Sequence, residues 1–205
     1  MHEPSGDFER LKIALEDQWE ISDVELDFFQ FSKLQKTLRQ GSWAVTVAIF
    51  NDHTSTPPRI IEIWPGLYEG GLYGLAIDLG STTIAAHLTD LKSGEVLKSA
   101  GLMNPQIRFG EDLMSRVSYS MMNSGGDKEM TTVVREAIDS LAEQLLNEAE
   151  IKKNSLVEVV FVCNPVMHHL LLGIDPVELG QAPFALASSN SITVNASHLG
   201  LSNIN

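Results

Sequence analysis

The sequence predicts an α/β protein whose mixed sheet is preceded by a small α+β module. Three short β-rich runs follow one another between residues 72 and 103, and a run at 157–162 that is apolar except for Glu158 comes after two helical segments. The N-terminal part instead shows helical spacing followed by a hairpin pattern. The pattern changes at Gly70-Gly71, so the predicted parts are residues 1–70 and 71–205.

The first module is predicted to contain two helices followed by a β-hairpin. Ser22 and Glu25 form a capping-box pattern that is expected to open the second helix, since each side chain can accept from the other's backbone N–H. No set of polar residues converges in the module, which favours a packing role over chemistry. The predicted elements are helices over 7–19 and 22–41 and strands over 43–50 and 59–64, joined by a polar loop over 51–58.

The second part begins with three consecutive strands, which predict a meander. Two helices follow, and the apolar run at 157–162 predicts a strand in the buried middle of the sheet. Asn164-Pro165 is expected to open a last helix that Gly173 ends. This β-β-β-α-α-β-α order is the start of a ribonuclease-H-like sheet, a fold with many unrelated activities. The other predicted elements are strands over 72–77, 83–89 and 95–103, helices over 110–122 and 128–151, and one weak strand over 192–194.

The composition narrows the possible partners. A net charge of -13 argues against nucleic acid or an anionic membrane, since both bind clustered Lys and Arg. Residues 1–10 are polar and acidic, which predicts no secretory leader, and the apolar runs are far shorter than the roughly 20 residues that span a bilayer. The single cysteine, Cys163, excludes an internal disulfide and a four-thiolate iron–sulfur cluster within this chain, and favours the cytoplasm.

The segment from Asp78 to Thr83 carries the clearest chemical signal. An acidic residue ends a buried strand, Gly80 makes the turn, and Ser81 and Thr82 precede the next strand. Such a turn can bring backbone N–H groups and hydroxyls against phosphate oxygens, while Asp78 holds magnesium nearby. The alternative is an ordinary hairpin, because Asp, Gly, Ser and Thr are all turn formers.

Residues 74–83 resemble the first phosphate motif of the actin, sugar-kinase and heat-shock-chaperone ATPase superfamily. Three further blocks narrow this resemblance to the reductive activators of corrinoid proteins, which are iron–sulfur-linked ATPases. The resemblance extends from about residue 72 to 184, and weakly over the preceding module. The blocks are Asn104-Pro105-Gln106 with residues 109–117, then residues 164–173, then Pro183-Phe184.

The resemblance implies a fold and a function. The second part would be the first half of an actin-like ATPase domain, and the protein would use ATP to return a cobalt(II) corrinoid protein to cobalt(I). ATP and Mg²⁺ would be the cofactors, with the electron coming from a separate 2Fe-2S domain. Asp78 would hold magnesium as the catalytic metal site, and Gly80, Ser81, Thr82 and Thr83 would hold phosphate.

Three residues outside the hairpin become candidates through the resemblance. Asn104 and Arg116 would line the nucleotide or corrinoid-protein cleft, although a turn asparagine and a surface arginine remain the alternative. Asn164 ends the apolar strand at the sheet edge predicted for the phosphate hairpin, where ligands often bind. Capping of the following helix is its alternative role.

This sequence departs from the family pattern in several places. Ser81 replaces the usual threonine, which keeps the hydroxyl, and Cys163 and Val166 stand where glycine and threonine are more common. The ferredoxin segment, the second aspartate–glycine phosphate motif and the adenosine motif are absent. We therefore expect this chain to be a piece of a longer protein that binds nucleotide weakly and does not turn it over.

Two other functions remain open. The isolated chain could be a non-catalytic module that docks a corrinoid protein or forms a homodimer. It could also belong to a kinase, or to an activator of another metalloenzyme, within the same superfamily. That second alternative would share the hairpin but not the Asn-Pro-Gln and Met-His-His blocks at 104–106 and 167–169.

Overall fold

The computed structural model describes residues 5–51 and 57–202. These residues separate into two compact units, one within residues 1–70 and one within residues 71–205. Most of the loop predicted over 51–58 lies outside the described residues.

The first unit packs two helices against a small sheet. The strand order is β1-β3-β2, with β1 parallel and β2 antiparallel to the central strand. Leucines from both helices, such as Leu11 and Leu34, are buried with Ile60 and Ile63 of the sheet. The helix over 7–19 and the hairpin are therefore as predicted. The elements are α1 (Asp7–Trp19), β1 (Glu25–Leu26), α2 (Phe28–Gln40), β2 (Val45–Phe50) and β3 (Arg59–Pro65).

The predicted Ser22–Glu25 capping box is wrong. The second helix begins at Phe28, and its N-cap is Asp27, whose carboxylate accepts a hydrogen bond from the N–H of Phe29 at 3.0 Å. Glu25 lies instead in β1, where its N–H donates to the carbonyl of Pro58 at 2.9 Å. Pairing with β3 satisfies the backbone group that the capping box would have used, so the tertiary contact overrides the local pattern.

The second unit has a four-stranded mixed sheet in the order β6-β5-β4-β7. The first three strands form the predicted antiparallel meander, and β7 pairs parallel to β4. This confirms the predicted α/β class with a mixed sheet, which is consistent with one half of an actin-like domain. The elements are β4 (Tyr73–Leu79), β5 (Thr83–Asp90), β6 (Val96–Met103), α3 (Leu113–Met122), α4 (Gly126–Glu148), β7 (Leu156–Cys163) and α5 (Pro165–Leu172).

Three details of this unit differ from the prediction. Among the described residues β7 is the outermost strand of its sheet, where the prediction placed it in the buried middle, and its Val160 and Val162 are 51% and 68% exposed. An apolar run can thus mark a strand with one open face, which periodicity alone does not reveal. α3 begins at Leu113 rather than at 110, because Asp112 caps it through the N–H of Ser115 at 2.7 Å. Residues 192–194 form no strand.

One face of the sheet is buried and the other is open. Alternate residues of β4 and β5, such as Leu75 and Ile84, pack with α4 residues such as Ile138 in a single core. Each such leucine or isoleucine contributes about 1.5–3 kcal/mol through burial. The intervening residues, including Asp78 and His87, are exposed on the opposite face. The alternation of β4 therefore places the Asp78 carboxylate on the open side.

Candidate phosphate-binding site

The turn between β4 and β5 is tight, and Gly80 is required for it. The Gly80 N–H donates to the carbonyl of Thr83 at 3.0 Å. A Cβ at Gly80 would lie 2.7 Å from that same oxygen, which is closer than such atoms approach each other. The glycine therefore makes room for the neighbouring strand, independently of any ligand.

The three carbonyl groups of the turn are all held by two residues, Asn104 and Arg116. The Nδ2 group of Asn104 donates to the Gly80 carbonyl at 2.8 Å, and the Asn104 backbone N–H donates to the Thr82 carbonyl at 2.8 Å. Between them, the Nη2 group of Arg116 donates to the Ser81 carbonyl at 2.5 Å. Three successive peptide groups are thus fixed in orientation.

This orientation leaves donors on the other side of the turn. In a planar trans peptide the C=O and N–H bonds point in opposite directions, so the N–H groups of Ser81 and Thr82 face away from Asn104 and Arg116. Within the described part of the chain, neither N–H group and neither side-chain hydroxyl of Ser81 and Thr82 has a hydrogen-bond partner. Successive outward N–H groups of this kind form a concave site for an anion.

Asp78 lies beside this turn. It precedes the last residue of β4 and is exposed on the open face of the sheet. Its negative charge, after the larger effect of burial, contributes to a raised pKa of the neighbouring Cys163 thiol. The carboxylate is therefore close to the ends of both β4 and β7, and the Cys163 thiol stays protonated at neutral pH.

Asn164 lies at the same end of the sheet as the 80–82 turn, directly after β7. It follows Cys163, which is the register partner of Leu79 at the end of β4. The Asn164 Oδ1 atom caps α5 by accepting from the N–H of Met167 at 3.0 Å, as the capping alternative predicts. Its Nδ2 group has no partner in the described residues and so keeps two donors available for a ligand.

Asn104 and Arg116 lie behind the turn. Both are fully buried, so they support the hairpin from the core side and do not line an open cleft. Asn104 also accepts from the N–H of Gln106 at 2.9 Å through Oδ1. Asn104 therefore keeps the local turn role of the alternative interpretation and also bonds the Gly80 carbonyl, whereas the buried Arg116 is not the surface arginine of that alternative.

Gln106 and Met167 complete this support and were not among the predicted site residues. The Gln106 side chain accepts from Arg116 Nη1 at 3.3 Å and donates to the Met130 carbonyl in α4 at 3.0 Å. The sulfur of Met167 in α5 accepts from Arg116 at 3.3 Å. Both residues belong to the sequence blocks that carried the family resemblance, which is the signal that could have identified them.

The donor set fits Mg²⁺ and phosphate better than a metal held by protein ligands alone. In residues 5–51 and 57–202, no group of three or more His, Cys, Asp or Glu side chains could hold a metal ion. Mg²⁺ commonly binds through one carboxylate, phosphate oxygens and water, which Asp78 and the turn could accommodate. The lone Cys163 does not fit a 2Fe-2S cluster.

No helix in the same described ranges has the length and apolar character to cross a membrane.

These features define a mixed α/β domain, consistent with half of an actin-like fold, that presents a candidate phosphate-binding turn. Two adjoining family models then cover nearly the whole chain. The model described as the RACo linker region matches residues 1–70, and the model described as the RACo middle region matches residues 73–205. The chain therefore belongs to the RACo family.

Individual relatives agree with this assignment. A corrinoid activation enzyme of Eubacterium limosum, RamQ, is 32% identical over 127 residues, which are 62% of this chain and 21% of RamQ. A solved structure described as a reductive activator for corrinoid, iron–sulfur protein superposes with a TM-score of 0.85 at 30% identity. That superposition covers 97% of this chain and 31% of the activator, so the chain spans about a third or less of the length of these relatives.

Proposed function

We propose that this chain provides the phosphate-binding half of an ATP site in a reductive activator of corrinoid proteins. The observation that carries the proposal is the turn at 80–82, where two outward N–H groups and two hydroxyls have no partner among the described residues and Asp78 lies close by. Such an arrangement binds phosphate oxygens through several donors at once. The relatives, one a corrinoid activation enzyme and one a reductive activator, support the choice of activator over a kinase of the same superfamily.

Each residue of the site has a separate task in this proposal. Ser81 and Thr82 bind phosphate oxygens through their N–H groups and hydroxyls, and Thr83 extends the same edge. Asp78 binds Mg²⁺, which neutralises phosphate charge. Asn164 can donate to a phosphate or ribose oxygen from the adjacent strand end through its free Nδ2 group. Gly80 lets the turn close, while Asn104 and Arg116 hold it in place.

The chemistry of activation requires groups beyond this chain. ATP, when bound, supplies free energy that can favour one conformation of the complete protein over another. The electron that converts cobalt(II) to cobalt(I) would come from a 2Fe-2S segment elsewhere in the complete protein, since Cys163 alone cannot hold a cluster. A corrinoid protein is the proposed partner, and a cytoplasmic location fits a chain with one cysteine.

A docking role for the isolated chain is the second candidate. The open face of the sheet exposes apolar side chains of the edge strand, notably Val160 and Val162. Apolar residues on an edge strand are typical of surfaces that another segment or protein covers. Val162 is the register partner of Asp78, so a protein docked on this face would lie beside the proposed Mg²⁺ site.

Calorimetric titration with Mg-ATP tests the proposed function. We expect weak but measurable binding by the chain, and at least tenfold weaker binding after Asp78→Asn, which removes the charge and keeps the shape. Asp175→Asn is the matched control. Asp175 is exposed like Asp78, but it lies outside the 80–82 turn, where its carboxylate accepts from the N–H of Val177. If the wild-type chain and both variants bind Mg-ATP with equal affinity, or none of them binds it, the proposal is wrong.

A further inference from the structure

Arg116 is a buried cation that has only neutral partners. Its side chain is fully buried, and it donates to the carbonyls of Gly110 and Ser81, to the Gln106 amide oxygen and to the Met167 sulfur. Among the described residues it forms no ion pair. Burial lowers the pKa of Arg116, and the exposed carboxylate of Asp112, which faces it at longer range, only partly opposes this effect.

The positive charge of Arg116 therefore lacks a counter-charge among its direct contacts. Carbonyl, amide and thioether dipoles offset part of the loss of hydration, but a buried charge is normally paired with an opposite charge. Folded domains keep an unpaired buried cation where it interacts with a charged ligand or stabilises a particular local structure. The contacts of Arg116 indicate where that ligand would lie, because one of them is the turn at 80–82.

We propose that Arg116 is a positioning residue that supplies the positive charge behind the phosphate turn, and that a bound phosphate is its counter-charge. This inference rests on the proposed function. The peptide group between Ser81 and Thr82 is the link, since its oxygen accepts from Arg116 and its N–H faces outward. Hydrogen bonds in series polarise one another, so the guanidinium makes the Thr82 N–H a stronger donor to an anion.

The expected effect follows from the distance involved. One hydrogen bond, one peptide group and a second hydrogen bond separate the guanidinium from a phosphate oxygen, which amounts to about 7 Å. At that distance and an effective dielectric constant of about 20, a pair of unit charges changes a binding constant about fiftyfold. Loss of the Arg116 charge should therefore weaken phosphate binding by about tenfold to a hundredfold.

The test compares three variants of the full 205-residue chain. Arg116→Met removes the charge and keeps much of the apolar volume, while Arg116→Lys keeps the charge. Arg135→Met is the control, because Arg135 is a partly buried arginine that donates to the Leu171 carbonyl at 2.8 Å and lies outside the turn. The probes are Mg-ATP and inorganic tripolyphosphate, with affinity measured by calorimetry.

We expect Arg116→Met to bind both probes about tenfold to a hundredfold more weakly, Arg116→Lys to recover most of that loss, and Arg135→Met to bind within about twofold of wild type. A folded Arg116→Met that binds both probes like wild type overturns the inference. When Asp78→Asn still weakens binding in that case, the proposed function stands and only the role of Arg116 fails. When the wild type binds neither probe, both fail.

A spectroscopic measurement covers the case in which Arg116→Met does not fold. In the ¹⁵N-labelled wild type, titration with tripolyphosphate should shift the guanidinium N–H resonances of Arg116 together with the amide of Thr82. A residue that only holds the turn in shape would keep its guanidinium resonances unchanged while the Thr82 amide moves. That result overturns the inference.

Discussion

Substitution Asn104→Ala should destabilise the second unit and loosen the phosphate turn. The side chain is fully buried and makes two hydrogen bonds of ordinary length, to the Gly80 carbonyl at 2.8 Å and from the Gln106 N–H at 2.9 Å. Alanine would leave a partly buried acceptor, the Gly80 carbonyl, and a buried donor, the Gln106 N–H, without these partners, and each costs about 1–3 kcal/mol. We expect the free energy of unfolding of this unit to fall by about 2–5 kcal/mol.

Urea denaturation can assign that loss to the second unit. The three tryptophans, Trp19, Trp43 and Trp64, all lie in the first unit, so their fluorescence reports that unit while far-UV circular dichroism reports both. We expect the dichroism transition to shift to lower urea and the fluorescence transition to stay in place. The control is Asn123→Ala, whose exposed side chain bonds the Tyr119 carbonyl and should contribute about 0.5 kcal/mol or less. A loss below about 1 kcal/mol for Asn104→Ala would refute the reasoning.

Three further predictions follow from the same structure. Gly80→Ala should destabilise the turn by about 1–3 kcal/mol and weaken Mg-ATP binding, because the added Cβ meets the Thr83 carbonyl; unchanged thermal stability and affinity would contradict this. Burial and then the neighbouring His169 lower the pKa of His168 below its ordinary 6.5, so the unfolded chain takes up protons first and stability should fall as pH drops below about 6.5. His168→Gln should flatten that pH dependence in thermal melts, and an identical profile would count against it. The purified chain should show no steady ATP hydrolysis in a phosphate-release assay, and sustained turnover would mean that the site is complete without further chain.

Much of the second unit could be predicted because its signals are local. Alternating and continuous apolar runs identified the strands, and a stripe of apolar residues identified α4, including Val134, Ile138 and Leu145. The apolar pattern of β7 could not separate a middle strand from an outer strand, since apolar side chains on both faces do not show whether a second strand pairs with its backbone. The predicted capping box at Ser22 was wrong for a related reason, because the pairing of β1 with β3 joins residues that are far apart in the sequence.

The sequence by itself determined which chemical groups occupy the candidate site. The order of Asp78, Gly80, Ser81 and Thr82 between two apolar strands specified a turn with a carboxylate, a glycine and hydroxyls, and those are local properties. The residue blocks around Asn104 and Asn164 also indicated the family, because a resemblance of this kind depends only on residue types and their spacing.

Only the tertiary structure decided which way the turn faces. Asn104 reaches the Gly80 carbonyl from 24 residues away, and Arg116 reaches the Ser81 carbonyl from 35 residues away. Asn104 and Arg116, which were expected to line a cleft, are therefore buried and hold the turn from the core side. Their contacts also orient the N–H groups of Ser81 and Thr82 outward. No local pattern could have predicted that orientation, because it depends on side chains that packing of β6, α3 and α5 brings together behind the turn.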